Sequence, residues 1–318
     1  MTVEPRPATA QTAEAGHPRL RIAVTGASGF LGSALSSTLT TSGHQVARLV
    51  RRLPAPGEIG WDPETARLDP EALSGLDAVI HLAGENIAGR WTDSRRRRIR
   101  ESRVAGTTLL AKALARSSRP PRVLVSASAI GIYGHRGDEL LDETSEPGHG
   151  FLPEVGQAWE AAAAPAREAG IRTVFTRFGL VLAPQGGVLA QMLVPFELGL
   201  GGTLGDGRQW MSWIGLDDAL GAILHALASD AIAGPVNVVA PEPVRNSEFT
   251  ERLARILRRP AVLTVPAFAL RLLFDGLADE GLLASTRVRP AVLEATGYRF
   301  RYPTLDAALR HALGRGDP

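Results

Sequence analysis

The chain has 318 residues, 44% of them hydrophobic, with 35 Lys and Arg against 33 Asp and Glu and a formal net charge of +2. It can bury a sizeable core, which excludes global disorder, a collagen-like fibre and a disulfide-stapled miniprotein, and the balanced charge gives no pull toward nucleic acid or an anionic membrane. Cysteine is absent, so disulfides, thiol nucleophiles, iron–sulfur clusters and thiolate zinc sites fall together.

In chain order, residues 1–19 are rich in Ala, Thr and Pro and lack the apolar middle of a signal peptide, so a disordered tail is expected. No apolar run reaches the roughly 18 residues that span a bilayer, and the chain reads as soluble and cytoplasmic. From Leu20, short apolar runs alternate with longer helical stretches, the pattern of βαβ units and a parallel sheet. Strands are expected at Arg21–Thr25, Gln45–Val50, Ala78–Leu82, Arg122–Ser126, Arg172–Thr176 and Val236–Val239. Helices are expected at Phe30–Ser42, Ser94–Arg116, Pro153–Ala169 and Asp217–Ala228. Beyond about Pro241 the pattern turns helical. Asn246 is placed to cap a helix running to Leu257, and Thr304 a last one to Leu313. The expected fold is α/β, a doubly wound parallel (Rossmann) sheet over 20–240 with a small, mainly helical C-terminal domain over 241–318 on the substrate side.

The first strand runs into Thr25-Gly26-Ala27-Ser28-Gly29-Phe30-Leu31-Gly32 and then a helix. Gly26 permits a tight turn, Gly29 lets backbone approach a pyrophosphate, and Gly32 lets helix pack on strand. The helix N-terminus, with Ser28, Phe30 and Leu31 around it, offers amides and a positive dipole end to phosphates. An acid ending the second strand would bind the ribose hydroxyls of NAD. Here the strand ends in Arg51 and Arg52, which suit a 2′-phosphate, so NADP(H) is favoured over NAD. Asp62, Leu82, Ala83, Gly84, Glu85 and Ser126 complete the cofactor candidates, the small residues letting the cofactor lie across the strand ends. His81 is read as a packed strand residue. The seven histidines never fall at metal-ligand spacing, and no metal is expected.

The stretches TGASGFLG, DAVIHLAGENI and SASAIGIYG resemble the extended short-chain dehydrogenase/reductase superfamily. The later segments RFGLVLAPQGGVLAQMLVPFELGLGGTLGDGRQWMSWIGLDDAL and RVRPAVLEATGYRFRYP look like its atypical NADP-binding branch, the epimerase-family proteins that end in a small domain of unknown function. The resemblance runs from about Arg21 to Leu313. It implies a Ser/Thr–Tyr–Lys set in which tyrosine moves a proton to or from a substrate oxygen. Ser128 matches the serine position. The Tyr-xxx-Lys pair is missing, because Lys112 is the only lysine and Thr108 stands four residues before it. Tyr133 is the stand-in proton donor, with Glu160 and Glu143 as fallback acid–base groups.

On the substrate side, the resemblance implies that the glycine-rich stretch from Gly199 to Trp213 lines the pocket. Arg208, Gln209, Trp210 and Trp213 are its candidate ligand contacts, either as stacking surfaces or, for the tryptophans, as wedges under the C-terminal unit. The Arg95–Arg98 run is expected on the solvated face of its helix rather than on nucleic acid. The expected partner is a small molecule, with a homodimer left open. The sequence supports an NADP(H)-dependent oxidoreductase or epimerase-like enzyme acting on a small polar substrate. The alternative is a catalytically silent NADP(H)-binding protein.

Overall fold

The structure is a computed structural model that describes residues 19–316, so the expected tail lies almost wholly outside the described residues. Strand β1 (Arg21–Thr25) runs into helix α1 (Phe30–Thr41), then β2 (Gln45–Val50), β3 (Glu58–Asp62) and the short β4 (Arg67–Leu68). Next come β5 (Ala78–His81), the long α2 (Asp93–Arg116), β6 (Val123–Ala129), β7 (Leu140–Leu141), α3 (Phe151–Ala161) and α4 (Ala164–Glu168). They are followed by β8 (Arg172–Phe178), β9 (Leu180–Leu182), α5 (Gly187–Glu197), β10 (Gly202–Leu204), β11 (Trp210–Met211), β12 (Trp213–Gly215), α6 (Leu216–Ala228) and β13 (Gly234–Val238). The last stretch holds β14 (Val244–Arg245), α7 (Asn246–Leu257), β15 (Leu263–Val265), α8 (Ala267–Phe274), β16 (Arg287–Val288), α9 (Ala291–Ala295) and α10 (Leu305–Ala312).

Eight strands form one sheet in the order β13-β8-β6-β5-β1-β2-β3-β4, parallel throughout except for the β3–β4 pair. The chain builds outward from β1 through β2 and β3, then returns to lay β5, β6, β8 and β13 on the other side. The order therefore reverses between β1 and β5, where Thr25 stands opposite His81. In such sheets the crevice outside the strands' carboxyl ends at this point is where ligands bind.

Both faces at the centre of the sheet are covered, which explains the apolar runs Ile22–Val24 of β1 and Ala78–Ile80 of β5. On one face Ile22, Val24 and Ile80 pack with Leu35 and Leu39 of α1, Ile223 of α6 and Leu293 of α9. On the other, Ala23, Val79 and Leu124 meet Leu110 and Leu114 of α2 and Ala166 of α4. Each buried Leu, Ile or Val contributes roughly 1.5–3 kcal/mol.

Three expectations need correction. The stretch 153–169 is two helices: the chain turns at Ala162–Ala163, and Pro165, which has no N–H to give the Ala161 carbonyl, sits in the first turn of the second. Asn246 is the first residue of α7 rather than its cap; Arg245 holds that position, and the buried Asn246 Oδ1 accepts the Leu204 N–H. Arg95 and Arg96 are half-buried. Arg95 donates to the Asn86 and Ala88 carbonyls and Arg96 lies 5.8 Å from the Phe151 ring centre, while Arg97 and Arg98 remain exposed.

Candidate functional site

The turn after β1 closes through a 2.9 Å bond from the Gly29 N–H to the Gly26 carbonyl. Gly26 has φ +67°, and a Cβ there would sit 2.9 Å from the Ala83 nitrogen. At Gly32 a Cβ would overlap the Gly26 carbonyl oxygen. Only glycine fits either position. Gly29 caps α1 with no side-chain bond, and Ser28 and Gly29 are exposed, so the first amides of the helix face the crevice without an internal acceptor. Phe30 packs beneath Gly186 and Gly187, fixing the far rim.

The loop after β5 is held against this turn by a chain of hydrogen bonds. Leu82 and Ala83 donate their N–H groups to Thr25 Oγ1 at 3.1 and 3.2 Å. With that oxygen accepting twice, its proton goes to His81 Nδ1, 2.7 Å away. His81 Nε2–H then donates to Thr107 Oγ1 at 3.0 Å, which also accepts from Trp159 Nε1. Burial pushes the His81 pKa down to about 4, so the ring is a neutral spacer and not a proton donor to a ligand. Farther along, the Glu85 N–H donates to Ser102 Oγ and the Glu85 carbonyl accepts from Arg103.

At the end of β2 both arginines are exposed. Arg52 is tied to Glu58 at 2.7 Å and to its neighbour's carbonyl, whereas Arg51 has no hydrogen-bond or ion-pair partner among the described residues. Asp62 spends its carboxylate on the β3–β4 turn, accepting from Glu64 N–H, Thr65 N–H and Thr65 Oγ1; these bonds, the threonine hydroxyl's first, hold its pKa below the usual range.

The end of β6 carries a buried polar network. Ser128 Oγ donates to Glu160 Oε1 at 2.7 Å, and Arg177 of β8 grips both Glu160 oxygens at 2.8 and 2.9 Å. Arg177 also donates to the Tyr133 oxygen at 2.9 Å, and Tyr133 donates to Asn237 Oδ1 at 2.8 Å. Tyr133 is fully buried, and burial raises its pKa despite the adjacent guanidinium. Ser128 is 2% exposed and faces α3, Ser126 is buried, and the residue left open at the strand end is Ala129. Thus neither Ser128 nor Tyr133 offers a free hydroxyl to the crevice. Glu143 accepts the Asn237 and Val292 N–H groups on one oxygen; the other is buried without a partner, and burial raises its pKa.

The substrate-side candidates scatter. Trp213 is fully buried beside Phe249 and Leu305, a wedge with no ring face to offer. Trp210 lies between the Arg245 and Arg287 guanidinium groups, each 4.4 Å from its ring centre, and donates to Asp138. Gln209 is buried and donates to the Leu204 and Leu282 carbonyls. Arg208 is exposed. A cavity of about 140 Å³ lies instead between the 182–185 loop, the start of α6 and α10. Among the described residues no group of three His, Asp or Glu side chains is placed to hold a metal, and no helix is long and apolar enough to cross a membrane.

Residues 22–239, most of the chain, match the NAD dependent epimerase/dehydratase family. The chain belongs to that family. Residues 265–312 match a domain of unknown function, DUF1731. An epimerase family protein of Mycobacterium bovis is 43% identical over 92% of this chain and 98% of its own length. The human epimerase family protein SDR39U1, solved with NADPH, superposes with a TM-score of 0.87 at 35% identity, covering 93% of this chain and 99% of that one. A nucleoside-diphosphate sugar epimerase from Corynebacterium glutamicum matches at 42% identity and TM-score 0.78, this chain covering 59% of it. The doubly wound sheet is the fold of these relatives.

Within this epimerase-family frame, two members of the buried network escaped the sequence reading, Arg177 and Asn237. The signal was there: an arginine directly after one expected strand and an asparagine inside another must find partners once buried.

Proposed function

We propose that this chain binds NADP(H) in the crevice between the glycine turn and the 82–86 loop and is an oxidoreductase or epimerase-like enzyme acting on a small polar substrate. The observation that carries the reading is the cradle itself: two glycine positions with no room for a Cβ under an uncapped helix N-terminus. The family membership and the NADPH in SDR39U1 support it. The α1 amides take the pyrophosphate. Arg51 takes the 2′-phosphate, since Arg52 is engaged by Glu58. When bound, NADP(H) supplies or accepts a hydride; the protein's part is to orient it at the strand ends beside Ala129.

One observation favours a second reading, a silent NADP(H) binder. Tyr133 and Ser128 are both committed to internal bonds, so no conventional acid–base group stands at the crevice. Titration of purified protein with NADPH and NADH, followed by tryptophan fluorescence, tests the binding. Arg51→Ala is expected to weaken NADPH binding about 10–100-fold, the loss of one or two charged hydrogen bonds, and to leave NADH binding unchanged. Arg52→Ala should do less. Equal loss for both nucleotides would refute the 2′-phosphate assignment. A carbonyl and sugar panel then separates the readings, because NADPH that binds saturably yet is never oxidised, with no epimerised product, leaves only the silent one.

A further inference from the structure

A guanidinium beside the crevice lacks a counterion among the described residues. Thr107 of α2 bonds to His81, the last residue of β5, and α2 runs back along the sheet between the parallel strands β5 and β6. Arg103 is one turn nearer the α2 N-terminus on the same helix face, so it stands just beyond the strand ends, level with the 82–86 loop. There its guanidinium carbon lies 4.9 Å from the ring centre of Trp159 on α3, and a Cβ on Gly84 would come within 3.4 Å of it. Nη1 donates to the Glu85 and Ile99 carbonyls at 3.0 and 3.1 Å, while Nε and Nη2 have no hydrogen-bond partner among the described residues. The Glu85 carboxylate attracts the group from a distance, but its own ion pair, a loose one of 3.9 Å, is with Arg98. Burial draws the Arg103 pKa down to about 10, with Glu85 opposing, so the charge is still present at neutral pH.

The sheet order fixes which end of a bound dinucleotide meets this charge. With the pyrophosphate at the α1 amides and the 2′-phosphate at Arg51, the adenosine half lies on the β2 side of β1. The nicotinamide half then extends the other way, over the ends of β5 and β6, where Arg103 stands between the 82–86 loop and α3. The nicotinamide ring is cationic when oxidised and neutral when reduced. We propose, resting on the NADP(H) reading above, that Arg103 makes the crevice selective for the reduced nucleotide, its guanidinium repelling the oxidised ring and leaving the reduced one undisturbed. Packed against Trp159 and Gly84, the charge is poorly screened by water and salt. Glu85, whose side chain is 38% exposed, offsets only part of it. A site that rests with NADPH suits a reductase, or a protein that responds to the ratio of the two forms. It suits less an epimerase cycle that opens by withdrawing a hydride from its substrate. The two carbonyl bonds of Arg103 also pin the 82–86 loop to α2, but a pin acts on both nucleotides alike.

Fluorescence titration of the full chain with NADPH, followed by displacement with NADP+, reads the ratio of the two dissociation constants. The parent should favour NADPH by about 10–50-fold, the effect of one unit-charge repulsion in a partly wetted interior. Arg103→Gln should bring the ratio close to one, chiefly by tightening NADP+. Arg103→Lys keeps the charge but loses the planar fork, and should retain most of the preference. A ratio that stays put in Arg103→Gln, with both nucleotides weakened alike, would reduce Arg103 to a loop pin and overturn the proposal. So would a parent that binds the two forms equally, a result that needs no variant to fold. If neither nucleotide binds the parent, the proposed function itself falls, and this inference with it.

Discussion

His81 sits at the centre of the bonds that fasten the 82–83 loop to the glycine turn, and its chemistry is set by burial rather than by a charged partner. Its folded pKa is depressed from 6.5 to about 4. Unfolded chains therefore take up a proton that the folded protein refuses. The resulting stability is fully present above about pH 6.5 and is lost as pH falls toward 4, on the order of 3 kcal/mol in total. His81→Asn keeps an acceptor for Thr25 and a donor for Thr107 but does not titrate. Urea unfolding from pH 7 to pH 4 should show the variant less stable at pH 7 and the gap closing by about that amount at pH 4. Parallel curves for the two proteins would mean the ring is not the neutral spacer that its bonding pattern requires.

At the scale of elements, α3 links the site to the rest of the molecule. Its N-terminus is capped from the C-terminal region, Glu280 accepting the Leu152 N–H at 2.7 Å, and near its other end Glu160 meets Arg177 of β8 and Ser128 of β6. Both charged side chains of this pair are nearly buried, so removing one leaves the other desolvated and alone. Arg177→Met should cost about 3–5 kcal/mol in chemical denaturation, and adding Glu160→Leu should recover a good part of it. A double variant no more stable than the single would mean the carboxylate is otherwise satisfied. None of this pairing was legible in the sequence, because Glu160 lies on a helix and Arg177 on a strand whose juxtaposition exists only in the fold. The break between α3 and α4 had a local signal masked by the alanine-rich run: Pro165 has no N–H to give the Ala161 carbonyl, so a helix through 158–166 must break, and Pro165 sits instead in the first turn of α4. By contrast, β1, β5 and β6 were readable from their largely apolar runs, as strands covered on both faces favour, and β2, β8 and β13, which also carry polar residues, from short stretches of Val, Leu and Phe set between turn signals. β3 was not. Glu58-Ile-Gly-Trp-Asp62 lies toward the edge, where only Trp61 is buried. The short strands β10 to β12 escaped because their partners are distant in the chain. The glycine turn needed no tertiary context, since its chemistry resides in backbone and the spacing of three residues.

For the molecule as a whole, a composition boundary near Pro241 suggested a small domain added to a complete one, yet the packing runs across it. Leu293 of α9 lies in the same apolar cluster as Ile22 and Val24, with Tyr298 and Phe300 against it. Asp218 at the start of α6 is fully buried, and its carboxylate accepts the Arg301 and Tyr302 N–H groups and the Tyr298 hydroxyl. Trp91, in the loop beside the crevice, packs on Leu277 and Phe274. A chain ended at Pro241 would leave Asp218 unpaired, the α3 N-terminus uncapped and several apolar side chains bare, losses of about 1–3 kcal/mol each against a typical total of 5–15 kcal/mol. Residues 20–241 expressed alone should therefore show no cooperative thermal transition and no NADPH binding, and supplying residues 242–318 as a separate chain should restore both in part. A sharp melt and full NADPH affinity in the truncated protein would instead make the C-terminal region a true appendage, and its contacts with α3 and α6 dispensable.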